Sequence, residues 1–328
     1  MNEYLLEKNT QFKVQPDDYI EEYLEFLKEY KIEYRDKINL PKEYTFGIEI
    51  EYENYSESQF AKRILEYYKN IFNSKTELDM VNGGEVTSKV MNDRTYCWKN
   101  IKYILNELKK VGAESRDNCG SHVHVGAHVL GDDVKNWKRL LYLYTVYELV
   151  IYRFASGEYL NVRPRINAKA YPISIDLANL LDKFESASEV EDLKTILECE
   201  DRYRGLNFKN VDYKHTGELE QGNTLEFRMA NGTHDAVIWQ NLVNFYLKLL
   251  YASVNKDIDL DYLKYRIKLI QELTYYKNYN RLYLDDAFEL ADIIFDNDLD
   301  KTNFLKQYYK DGREVDSPKL VKSAKITK

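Results

Sequence analysis

The sequence predicts an α+β protein built around one sheet. Three observations carry this reading. Residues 44–53, 81–90, 120–127 and 223–230 alternate with a period of two, as strands do. Residues 57–72, 94–111, 132–155, 189–199 and 235–254 repeat their apolar side chains with helical spacing. No internal repeat and no linker rich in Pro, Gly or Ser divides residues 44–255, so this stretch reads as one continuous unit.

Taken in order, residues 17–30 place Ile20, Tyr23, Leu24 and Leu27 on one helix face, and Pro41 closes this N-terminal segment, 1–43. Within 44–255, Asp132 and Asp235 are the expected N-caps of the two longest helices. Residues 256–312 read as a C-terminal extension of three helices, with a turn at Asp296-Asn297-Asp298. The tail, 313–328, carries Lys319, Lys322, Lys325 and Lys328 and is expected to be solvated.

Composition excludes several classes. With 328 residues, 44% hydrophobic, five Pro and 13 Gly, the chain is neither collagen-like nor disordered, and it is long enough to bury a core. A net charge of -8 opposes non-specific nucleic-acid binding, which needs Lys and Arg to neutralise phosphates. Three cysteines, Cys97, Cys119 and Cys199, show no CxxC spacing, so neither a disulfide framework nor a zinc knuckle is expected. The most apolar stretch, 140–155, is interrupted by Glu148 and Arg153 and is too short to span a bilayer. Residues 1–14 show no apolar core of a signal peptide. The expectation is a soluble cytoplasmic protein without membrane or nucleic-acid partners.

The chemistry lies on the polar side of the strands. In residues 44–53, Phe46, Ile48, Ile50 and Tyr52 share one face, and Gly47, Glu49, Glu51 and Glu53 the other. Two carboxylates about 6–7 Å apart on one strand face repel by roughly 2–3 kcal/mol in a protein-like dielectric. Either that face is solvated or it lines a cleft that holds a cation. The second run places Glu85 after Gly83 and Gly84, as a hairpin entry or an acidic group approached closely. The third places Gly120, His122, His124 and Gly126 on one face, with the glycines leaving room for a ligand. The fourth places Glu226 and Arg228 opposite Leu225, Phe227 and Met229, as a surface ion pair or as a metal and a phosphate contact. A mostly carboxylate set with one or two imidazoles favours Mg²⁺ or Mn²⁺ over zinc. No P-loop and no GxGxxG occurs. Between the third and fourth runs, Arg163 with Arg165 and Lys169, and Arg202 with Arg204, Asn207 and Lys209, form basic stretches. Either solvent or an anionic ligand accounts for them, and Arg204 and Asn207 are the favoured pair because they precede a strand.

The series Gly47-Ile48-Glu49-Ile50-Glu51, Gly84-Glu85-Val86, Cys119-Gly120-Ser121-His122-Val123-His124 and Glu226-Phe227-Arg228 with Gly232-Thr233 resembles the amidoligase family, over about residues 44–250. The resemblance implies an open antiparallel half-barrel of the glutamine synthetase and glutamate–cysteine ligase kind, with helices on its convex face. It implies ATP and Mg²⁺ (Mn²⁺ possible) on the concave face, small-molecule or peptide carboxylate and amine substrates, and an amide formed through an acyl phosphate. Carried residue by residue, Glu49, Glu51, Glu85, His122 and Glu226 resemble metal ligands, and His124 and Arg228 phosphate contacts. Glu49, Glu226 and Arg228 would be catalytic. Where the family's Glu-Val element commonly continues into Ser-Pro, Ser88 is followed here by Lys89: either the strand end is shaped differently or Lys89 contributes a further charge to the site. Two other readings stay open: a metal-dependent hydrolase using His122 and His124, and a non-catalytic scaffold with a degraded site.

Overall fold

The computed structural model describes residues 17–315 apart from Leu78, Arg116, 198–201, 215–216, 218–221 and 272–278. Seven strands, β1 (Thr45–Tyr52), β2 (Phe72–Lys75), β3 (Gly84–Ser88), β4 (Met91–Asn92), β5 (Gly120–Gly126), β6 (Leu206–Asn207) and β7 (Thr224–Asn231), form one open sheet. The order is β2-β3-β1-β5-β7-β6, with β4 beside β1, and every pairing is antiparallel. The period-two pattern explains the layering. Phe46, Ile48, Ile50, Val86, Val123, Val125, Leu225 and Phe227 are buried on one face. Helices cover them, among the twelve α-helices of the described residues. Phe46 stacks on Trp98 of α3 (Thr95–Lys110) at 5.2 Å, and Phe227 on Tyr246 of α9 (Ala236–Asn255) at 4.1 Å. The Tyr content is used here: Tyr142, Tyr144, Tyr147 and Tyr152 of α4 (Val134–Ala155) are buried in this layer.

The expected turn before the last helix is present, with Asn297 capping α12 (Asp298–Tyr309) through Asp300 N. Asp235 caps α9 as expected, but Asp133 rather than Asp132 caps α4, its carboxylate accepting from Lys135 N. The helix expected over 57–72 ends early. α2 (Glu57–Arg63) gives way to a short 3-10 turn, and Phe72 opens β2, because pairing with β3 supplies ladder bonds that a continued helix would forfeit. The strand expected over 81–90 shortens to β3, since Asn82 takes a left-handed φ of 47° and Val81 and Val90 point into solvent. The two-residue strands β4 and β6 and the short helices α5 (Ile166–Lys169), α6 (Ser174–Asn179) and α7 (Leu181–Ser186) carry too few residues to show a period. The expectations for residues 1–14, Cys199 and the lysine tail lie outside the described residues, and Cys97 is half-buried and Cys119 buried. Among the described residues no helix is long and apolar enough to cross a membrane.

Two buried cations join the C-terminal helices to α4. Arg153 is fully buried and donates to the carbonyls of Tyr308 (3.0 Å), Tyr309 (3.2 Å), Arg313 (2.6 Å) and Asn280. Lys310, at a left-handed φ of 50°, donates to the carbonyl of Gly157. Burial, with the nearby Arg153 charge, pushes the Lys310 ammonium down to about 7. Replacing Arg153 with Met strands four carbonyls and is expected to cost about 2–4 kcal/mol, read as a lower urea midpoint. The Lys310 pKa is lowered by folding, so the unfolded chain binds the extra proton between about pH 7 and its ordinary value of 10.5. Wild-type stability relative to Lys310→Met is therefore expected to rise from pH 7 to pH 9, and a flat difference would refute the assignment.

Candidate active site

Antiparallel register decides which side chains meet on the helix-free face. Opposed residues point to the same side, so the pairings Lys75 with Glu85, Glu85 with Glu51, and Glu49 with His122 place these groups together. Gly47 with His124, His124 with Glu226, and Glu226 with Asn207 continue the face across β7 to β6. A register shift between Ser121 and Val123 sets an extra β7 residue opposite His122, and Arg228 follows Glu226 on the same side. The result is a polar cleft of about 940 Å³, including its mouth, lined by Glu49, Glu51, Glu85, His122, His124, Asn207, Glu226 and Arg228.

Glu49 is the hub. His122 Nδ1 lies 3.1 Å from its Oε2 and His124 Nε2 3.0 Å from its Oε1. Burial opposes the charge of Glu49, but these two imidazole contacts outweigh it and hold its carboxyl well below the usual carboxylate range. Burial likewise opposes protonation of His124, and the Glu49 contact with the charge of Glu226 raises its pKa in balance. Glu226 accepts from Asn207 Nδ2 at 2.7 Å and is paired with the Arg228 guanidinium. Glu51 accepts from the Gly120 backbone N–H. Glu85 differs: burial first and the Glu49 charge second push its carboxyl up to about 7, against the opposing effect of Lys75 Nζ at 3.0 Å.

Ten of the residues singled out in the sequence therefore divide unequally. Eight line the cleft, and Lys89 and Arg204 do not. β3 ends at Ser88, so Lys89 is carried to the exposed edge, where its N–H bonds the Ile71 carbonyl. Arg204 is buried, but its guanidinium turns away to the Leu197 carbonyl and the Tyr171 hydroxyl. Asn207 lines the cleft with its amide committed to Glu226. The basic groups that do line it are Lys75, Arg163, Lys169, Arg202 and Lys209. Glu53 leaves the face at the end of β1 and accepts from Val81 N at 3.0 Å. The space beside the glycines of β5 is also not open. A Cβ on Gly120 would overlap Arg163 Nη1 and lie 2.7 Å from His122 Nε2, and one on Gly126 would lie 2.6 Å from the His128 ring. Arg163 is thus seated in the gap that Gly120 leaves, with Nη2 on the Arg228 carbonyl (2.8 Å) and Nη1 4.0 Å from Glu51. Its only sequence signal was membership of a basic stretch, while Lys75 had none.

A family model described as "putative amidoligase enzyme" matches residues 73–250, more than half of the chain. The chain belongs to this family. No curated protein matches it. As an amidoligase family member it departs from the resemblance first seen in one respect: the match begins at Asn73, so β1, with Glu49 and Glu51, lies outside it. Register alone joins β1 to the matched strands β3 and β5.

The residues present fit a divalent cation. Ligand atoms of Glu49, His124 and Glu226 lie within 4.8 Å of one another. His122 turns Nδ1 to Glu49, and its buried Nε2 has no hydrogen-bond partner and lies 3.8 Å from Glu51 Oε1, so two groups able to ligate an ion face each other there.

Gly120→Ala is expected to displace Arg163, destabilise the fold by about 1–3 kcal/mol and weaken binding of Mn²⁺ with tripolyphosphate. Gly47→Ala is the control for the fold, because its Cβ would meet Ser88 Oγ and His124 Cβ at ordinary contacts of 3.7 and 3.8 Å. Equal melting points for the two variants would refute the role given to the Gly120 gap.

Proposed function

We propose that this chain is an ATP-dependent carboxylate–amine ligase on a sheet of the glutamine synthetase kind. The observation that carries the reading is the convergence of Glu49, Glu51, Glu85, His122, His124, Glu226 and Arg228 from four strands into one cleft with basic groups at its rim. Acidic depth with Lys75, Lys169, Arg202 and Lys209 at the mouth beside Glu77 and Asp79 suits metal-bound polyphosphate, in which each phosphate oxygen would meet either a cation held by carboxylates or a Lys or Arg donor. Family membership supports amide-bond formation as the reaction class.

Bound Mg²⁺, held by Glu49, Glu51, Glu85, Glu226 and the two imidazoles, would neutralise charge on the phosphates and on the transferring group. The chain's own groups do the rest. Glu49 keeps its charge at neutral pH because both imidazoles face it, so a ligand oxygen is available without prior deprotonation. Arg228, fixed by Glu226 and by Nε on the Lys169 carbonyl at 3.5 Å, lines the cleft, where its planar fork would stabilise developing negative charge on the phosphoryl group. Lys169, Arg202 and Lys209 line the rim and take the remaining phosphates. A substrate carboxylate oxygen attacks the terminal phosphorus and ADP leaves. An amine then attacks the acyl carbon of the acyl phosphate, phosphate leaves, and the amine releases a proton as the amide forms.

The test is ADP release from ATP and Mg²⁺ over a panel of amino acids and peptides, with hydroxylamine as a surrogate amine. The expected outcome is ADP formation that requires the carboxylate, together with a hydroxamate. Glu49→Gln and Arg228→Ala are each expected to lower the rate by about two orders of magnitude while the protein stays folded. ATP that neither binds nor is consumed by intact protein over the whole panel would refute the reading.

A further inference from the structure

We propose that Lys75 is a resident cation: in the free protein its ammonium fills the cation position beside Glu85, and it yields that position to a divalent ion when the site loads. This inference rests on the ligase reading and concerns a residue with no place in the motifs that carry the resemblance.

Lys75 ends β2, the edge strand of the sheet, directly opposite Glu85. Its Nζ lies 3.0 Å from Glu85 Oε1, a buried oxygen without any other counter-charge in contact. One strand further in, Glu51 stands opposite Glu85, and His122 Nε2 lies 3.8 Å from Glu51 Oε1. Glu51 and His122 thus stand one strand in from Glu85 on the same cleft lining, and the positive charge in contact with Glu85 is supplied by a side chain.

What singles out Lys75 is that it is able to leave. Its side chain is 57% exposed while that of Glu85 is 4% exposed. It enters from the rim on a flexible four-carbon stem whose withdrawal opens no core cavity. The Arg groups that face the neighbouring carboxylates are fixed. Arg163 is buried under Glu51 with a donor on the Arg228 carbonyl, and Arg228 is paired with Glu226. Lys75, on the edge strand, is able to exchange without disturbing the sheet, so a divalent ion competes with it before it reaches Glu85. By linkage, whatever binds the ion and draws the ammonium off Glu85 favours loading, and a polyphosphate does both.

The experiment is calorimetric titration of the full chain with Mn²⁺ at pH 8, without nucleotide, and again with inorganic tripolyphosphate. Lys75→Met is expected to bind Mn²⁺ about threefold to tenfold more tightly than wild type without tripolyphosphate. Lys75→Arg is expected to match wild type, and adding Glu85→Gln to Lys75→Met is expected to abolish the gain. Melting curves serve as the folding control, and Lys75→Gln is the second variant should the Met protein unfold. Unchanged or weaker Mn²⁺ binding by the folded Lys75→Met or Lys75→Gln protein would overturn the inference. Tripolyphosphate-enhanced binding in that same case would leave the ligase reading standing. Failure of wild type to bind Mn²⁺ with or without tripolyphosphate would overturn both.

Discussion

Four carboxylates share one face of a sheet only where positive charge is built in beside them. Glu49 sits between two imidazoles, Glu226 between an amide and a guanidinium, Glu51 on a backbone N–H above Arg163, and Glu85 against an ammonium. At these separations and this burial the unbalanced set would repel strongly enough to protonate or to open the strands. The compensation is uneven, and the unevenness has chemical content. Glu49 is held firmly charged, while Glu85 rests near neutrality of its two forms around pH 7. The first is a ligand ready at any physiological pH. The second is where the free protein is least committed.

The rest of the fold serves that balance. Two long helices, α4 and α9, bury the apolar face of the strands and make the sheet rigid enough to fix side-chain spacing. The chain leaving α4 then returns to the polar face, where the Arg163 N–H is anchored on Asn231 Oδ1 at 2.8 Å and its guanidinium fills the Gly120 gap. Glu148, buried within α4, accepts from Ile173 N and Ser174 N and so fixes the start of α6, on the segment that leads to the basic rim. The N-terminal and C-terminal additions meet around this unit, with Arg35 paired to Asp300 at 2.8 Å and Asp93 accepting from Ile38 N and Leu40 N. Arg153 and Lys310 show how fully the C-terminal helices are part of the same body, since a buried cation on carbonyls from distant helices tolerates little relative movement.

The acidic and imidazole residues were legible because strand periodicity assigns every second side chain to a common face without reference to any other element. That is why Glu49, Glu51, His122, His124, Glu226 and Arg228 read as one set, and the structure sets all six along the cleft. The failures have a shared cause. Lys89 and Arg204 were chosen for their place beside motif strands, but a strand end and a loop do not impose the alternation that makes such inference safe. Arg163 and Lys75 reach the cleft through tertiary contacts, one across a gap left by a missing Cβ and the other by pairing along an edge strand. The same holds for residues 57–72, where local helical spacing yielded to a strand partner further along the chain.

By itself, the sequence determined the fold class, the two faces of each long strand and the donor chemistry of the polar one, because these follow from a local two-residue repeat. Only the tertiary structure decided the strand order, the register that sets Glu49 against His122 and Glu85 against Lys75, and the seating of Arg163. Those depend on pairings between residues tens of positions apart, for which no local period exists. The charge balance of the cleft is a sum over such pairings, and it takes its value only when the chain is folded.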